Sequence, residues 1–151
     1  MNPSYLLANC DMPLLRAAAV ANRQRPERKA ERVAALAKST RLARADGGEP
    51  RVLISGMGFK KGEASLAYAP TVTLANSLRR LGVHVAYVDD YVRSAEWEKI
   101  ESSRIAGPAP GEALSWLDCT FDAVVVAQVP SAEHRAVFDS LTLCQAVYFT
   151  R

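Results

Sequence analysis

The stretch Ser55-Gly56-Met57-Gly58-Phe59-Lys60-Lys61-Gly62 holds the residue types most suited to chemistry on a ligand. Glycines let a backbone come close to a bound group, and the amides of a tight loop attract phosphate. Lys60 and Lys61 add two ammonium charges, and Phe59 offers a face on which a base could stack. Together they point to a phosphorylated ligand, and the aromatic points to a nucleotide. A dinucleotide fingerprint would need its third glycine at position 61, where Lys61 stands, and Gly62 falls one residue late. Asp89 or Asp90 would suit a ribose hydroxyl contact. His84 and His134 lie far apart and show no metal-ligand spacing. Cys10, Cys119 and Cys144 form no CxxC pair and are odd in number, which predicts reduced thiols and a cytoplasmic protein.

These residues must be held by elements whose pattern changes at Asp46-Gly47-Gly48-Glu49-Pro50. Before that cluster the pattern is helical. Asp11 is the expected N-cap, with Pro13 in the first turn. Leu14, Leu15, Ala18, Ala21, Val33, Leu36 and Ala37 fall on helical spacing, and Pro26 is expected to kink or restart the helix. After the cluster, strands are expected at 52–54, 83–88, 121–127 and 146–149. Helices are expected at 70–81, 96–102, 112–117 and 131–138, with a turn at 107–111. Strands alternating with helices predict an α/β fold: a Rossmann-like parallel sheet covered on both faces, preceded by a long kinked helix.

The chain of 151 residues is about one domain long, with room for a helical appendage. Its 49% hydrophobic and 23% charged residues are ordinary for a globular protein. The net charge of +3 is unevenly placed. From Arg16 to Arg51 ten Lys and Arg residues face only Glu27, Glu31, Asp46 and Glu49. That run lacks interleaved aromatics, so the expected reading is a solvated face, and nucleic acid is not the expected partner. No apolar run could span a bilayer, and Met1 is followed by Asn-Pro rather than a signal peptide.

The segment from Arg51 to Pro70 resembles the opening of the UDP-binding domain in the UDP-glucose/GDP-mannose dehydrogenase family. That opening runs strand, Gly-x-x-Phe-Lys, polar loop and Ser-Pro, and Gly56, Phe59, Lys60 and Pro70 match in place. Val88-Asp89-Asp90-Tyr91 is similar to the end of the family's next strand, and Phe121 to Ala127 to a later Asp-Ala-hydrophobic strand. Asn2-Pro3-Ser4-Tyr5-Leu6 and Asn22-Arg23-Gln24-Arg25-Pro26 resemble the segment after the catalytic cysteine loop and the family's central helix. The motifs occur in the family's order over nearly the whole chain. They depart from it where Glu63, Ser65, Ala67 and Ala69 replace the usual Thr, Asp, Arg and Ser, which changes that loop's own hydrogen-bond lock.

The resemblance implies the end of a central dimerisation domain at 1–48 and a UDP-sugar-binding Rossmann-like domain at 49–151. The whole enzyme would oxidise the C6 alcohol of a UDP-sugar to a carboxylate with NAD, and would be a homodimer through the N-terminal helix. By the same resemblance Phe59 contacts the uridine, Lys60 the diphosphate, Gly56 and Gly58 shape the site, and Arg151 reaches the ligand from the last strand's end. The family's nucleophilic cysteine and NAD-binding half would lie before Met1, so the chain reads as truncated. It is expected to bind no NAD by itself and to carry no catalytic residue; Cys10, Cys119 and Cys144 do not match the nucleophile. The alternatives are a standalone nucleotide- or partner-binding module with a basic helix, and a small NAD(P)-binding oxidoreductase.

Overall fold

The computed structural model describes residues 12–45, 47–105 and 110–149. Helix α1, Pro13–Ala43, is followed by strand β1, Arg51–Ser55, helix α2, Pro70–Arg80, and strand β2, His84–Val88. Strand β3, Glu98–Lys99, helix α3, Ser102–Ile105, and helix α4, Pro110–Thr120, come next. Strand β4, Ala123–Val126, helix α5, Ala132–Asp139, and strand β5, Gln145–Tyr148, complete the order. The five strands form one sheet in the order β3-β2-β1-β4-β5, and every pairing is parallel. The fold is the expected Rossmann-like α/β architecture with a long helix in front of it.

Parallel strands are buried on both faces, and the sequence supplies the residues for that. All of Ala123–Val126 is buried, as are Val52, Leu53, Ile54 and Ser55 of β1. Successive side chains point to opposite faces, so the strands feed two cores. Val52, Ile54, Val85, Tyr87, Ala123 and Val125 pack with Leu74, Ala75 and Leu78 of α2. Ala30, Val33, Ala34 and Ala37 of α1 join that same cluster. Leu53, Ala86, Val88, Val124 and Val126 pack on the other side with Leu117, Phe121, Val137 and Phe138.

Helix α1 runs antiparallel to the strands. Its last turns reach the amino edge of the sheet, where Arg41 and Arg44 meet Asp122 just before β4. Lys29 reaches the carboxyl edge, donating to the Phe149 carbonyl just past β5, with its ammonium 4.3 Å from the centre of that ring. None of residues 12–25 is buried, and Leu14, Arg16, Val20, Arg23 and Arg25 are exposed.

Several expectations are corrected. The helix continues through Pro26 instead of restarting there, and Pro26 is buried. A proline inside a helix costs about 3 kcal/mol, and burial of the alanine and valine stripe that follows offsets it. Position N-cap belongs to Met12, without a side-chain bond, while Asp11 lies outside the described residues. The helix expected at 96–102 is instead the edge strand β3, paired through Ala86–Glu98 and Tyr87–Lys99. Pairing with β2 overrides local propensity there, and the Ile100 amide extends it by donating to the Tyr87 carbonyl at 2.7 Å. Pro110 and Gly111, expected in a turn, open α4, whose first turn tolerates proline. Apolar packing runs from α1 into the sheet core on either side of Gly48, where the sequence pattern breaks.

Candidate functional site at the carboxyl edge of the sheet

The strand order reverses between β1 and β4, so the connections leaving these two neighbours depart to opposite sides and leave a crevice. Ligands of open α/β sheets bind in such a crevice beyond the carboxyl ends. Here it lies between the loop after Ser55 and the loop after Ala127. Gly56, Lys61, Asp89, Asp90, Gln128 and His134 are among its lining residues, and its volume is about 100 Å³.

The floor of the β1 loop is fixed by one buried carboxylate. Asp89 Oδ2 accepts from the amides of Met57 at 2.7 Å and Gly58 at 3.4 Å. Its Oδ1 accepts from the amides of Tyr91 and Val92, both at 2.9 Å. Burial works to raise the Asp89 pKa, but these four amides outweigh it and hold the carboxyl below its usual range. Both oxygens being engaged, Asp89 is not the free ribose acceptor that its place after β2 suggests. Thr71, at the start of α2, donates to the Met57 carbonyl and ties the loop to the next helix.

Gln128 closes the loop from the β4 side. Its Nε2 donates to the Gly58 carbonyl at 2.7 Å. Gly56 has a left-handed φ of +87°, and a Cβ there would stand 2.6 Å from Gln128 Cγ. A Cβ on Gly58 would stand 2.6 Å from the Glu63 carbonyl oxygen. The two glycines therefore admit the protein's own Gln128 side chain and Glu63 backbone. The loop departs from a dinucleotide turn at two points: Lys61 stands at the third glycine position, and Asp89 is engaged by loop amides.

The sequence-predicted site residues fall into three groups. Gly56 lines the crevice and Gly58 lies beside it, under Gln128. Phe59 and Lys60 point away from the core: Phe59 is 54% exposed, and the Lys60 ammonium stands 5.9 Å from the centre of its ring. Arg151 lies outside the described residues, as do Cys10 and the segment from Asn2 to Leu6. The second lysine, Lys61, is the one that lines the crevice. Ser131 caps α5 by accepting from the His134 amide at 3.2 Å, so the positive end of that helix borders the crevice as well. Asp90 brings a carboxylate to the same place, engaged by the Ser102 hydroxyl.

Sequence reasoning missed Gln128 and His134. The available signal was their position just after the most apolar strand, but only the strand order shows that this strand lies beside β1. Neither described cysteine lines the crevice. Cys144 is buried, and burial, with Asp118 nearby, pushes its thiol up to about 12; Cys119 is exposed on α4. No group of His, Cys, Asp and Glu among the described residues could hold a metal ion, and no helix among them is long and apolar enough to cross a membrane. No family model, curated protein or solved structure matches the chain.

Proposed function

We propose that the chain binds the diphosphate and base of a nucleotide sugar, UDP-sugar first among them, at the carboxyl edge of its sheet. It would do so as the nucleotide-binding part of a nucleotide-sugar 6-dehydrogenase. The observation that carries this reading is the loop after β1. Its floor is locked by Asp89, while an aromatic ring and an ammonium are presented outward at the point where the strand order reverses. An exposed Phe gains by covering its face with a base, and an exposed ammonium gains by meeting phosphate oxygens. Lys61 and the amino end of α5 add positive potential across the crevice.

Thermal shift and titration calorimetry with UDP, UDP-glucose, NAD and a short oligonucleotide test this. A ligand stabilises the fold by RT ln(1 + [L]/Kd), so a micromolar site is visible at millimolar ligand. UDP and UDP-glucose should raise Tm, and NAD should not. Lys60→Ala should weaken UDP about tenfold, the size of one lost charge-assisted contact, and leave the Tm of the free protein unchanged. Stabilisation by NAD alone would replace this reading with a dinucleotide-binding oxidoreductase. Stabilisation by oligonucleotide alone would move the function to the basic face of α1.

A further inference from the structure

We infer that Gln128 is the gate of the nucleotide site, an internal occupant that the ligand must displace; the inference rests on the nucleotide-binding reading above. Three observations converge on it. The crevice holds about 100 Å³, whereas pockets for nucleotide-sized ligands run from about 300 to 1,000 Å³. One side chain inside that crevice is Gln128, lying against Gly56 so closely that even a methyl group there would collide with it. It is also latched, through the 2.7 Å bond from Nε2 to the Gly58 carbonyl.

The position of the latch gives it this role. Gln128 is the second residue past β4, and Gly56 the first past β1, so the side chain bridges the two loops that flank the reversal of strand order. That gap lies beside Lys61 and the amino end of α5, the positive groups that border the same crevice. Gln128 is only partly buried and no other described residue holds its amide group, so it can rotate outward by losing one hydrogen bond. The loop itself does not depend on it. Met57 and Gly58 keep their bonds to Asp89, and Thr71 keeps its bond to the Met57 carbonyl. Opening the gate therefore enlarges the crevice without dissolving its floor. When only a fraction of molecules is open, apparent affinity falls by that fraction. Removing the latch should recover it.

UDP titrations of the wild-type chain, Gln128→Ala, Gln128→Ser and Lys60→Ala decide the matter, with circular dichroism confirming that each variant is folded. Both Gln128 variants should bind UDP about tenfold more tightly than wild type, and exchange of the Met57 and Gly58 amides should stay as slow as before. Tight binding by the variants where wild type shows none would support the gate in its strongest form. Equal or weaker binding by both variants, with wild type binding and Lys60→Ala impaired, would overturn the gate and leave the nucleotide-binding reading standing. UDP binding by none of the four would overturn that reading, and the gate with it.

Discussion

Two buried carboxylates, Asp122 at the amino edge of the sheet and Asp89 at the carboxyl edge, are used in opposite ways. At the amino edge Asp122 receives side chains: Arg41 at 2.9 Å and Arg44 at 3.3 Å, together with the Arg51 amide at 2.8 Å. At the carboxyl edge Asp89 receives only backbone amides. The first arrangement consumes cationic side chains to fasten α1 to the sheet. The second consumes none, so Lys60 and Lys61 remain directed outward. Apolar residues divide the same way. Phe59, Tyr68, Tyr91 and Val129 are exposed on the carboxyl-edge loops, and Met12, Leu14 and Val20 at the N-cap and in the first turns of α1. Leu42 and Leu143 are the other large hydrophobics exposed among the described residues. One edge is built for cohesion, and the other keeps its charges and rings available.

This contrast can be broken most severely at the amino edge. Asp122→Ala leaves Arg41 and Arg44 facing each other in a largely buried place. Losing one member of such a group costs about 3–5 kcal/mol, measurable as a lower urea midpoint. The nucleotide affinity of the folded fraction should be unchanged, since Asp122 is at the far end of the strands. A loss below 1 kcal/mol would mean that α1 is held by its apolar stripe alone.

Asp89→Asn tests the other edge. It leaves four amides sharing one acceptor oxygen beside an NH₂ group that cannot accept, a loss of about 2–4 kcal/mol. Here stability and UDP affinity should fall together, because the same carboxylate shapes the loop. A variant that lost stability but bound UDP as before would separate the loop from the site.

Acid provides a milder version of the same test. Asp89 and Asp118 are both held below the ordinary value of 3.8, burial opposing and hydrogen bonds prevailing. For Asp118 the partners are the Cys144, Thr142 and Leu143 amides and the Thr142 hydroxyl. A folded pKa below the unfolded one gives stability that is complete above the unfolded value and lost as pH falls towards the folded value. Denaturant midpoints should therefore decline below about pH 4. The decline should be shallower in an Asp89→Asn, Asp118→Asn double variant. The smallest effect is chemical: iodoacetamide should label Cys119 in the native protein and spare Cys144, as peptide mass spectrometry would show. Labelling of Cys144 at a comparable rate would place it outside the core.

Much of the architecture was legible in the residues themselves. The apolar runs at 52–54 and 123–127 and the spacing of Val72, Leu74, Ala75 and Leu78 report strands and a helix because burial demands those periods. The glycine loop was legible as a site because glycine, lysine and an aromatic seldom serve a core together. Two elements were not legible. The edge strand at Glu98–Lys99 is two residues long, too short to show any period, and exists only because β2 offers it hydrogen bonds. Continuity of α1 through Pro26 is a tertiary result, since local chemistry alone favours a break.

From its own chemistry, then, the chain determined an alternating α/β fold, a loop rich in glycine and lysine after the first strand and a basic helix ahead of it. Tertiary structure alone decided which loop faces that one. It set β4 beside β1, brought Gln128 onto Gly56 across 72 positions of chain, and gave Asp89 to the loop amides instead of to a ligand. The physical reason is that periodicity is a property of neighbours along the chain. Strand order and the company of a buried polar group depend on packing between segments that the sequence keeps far apart.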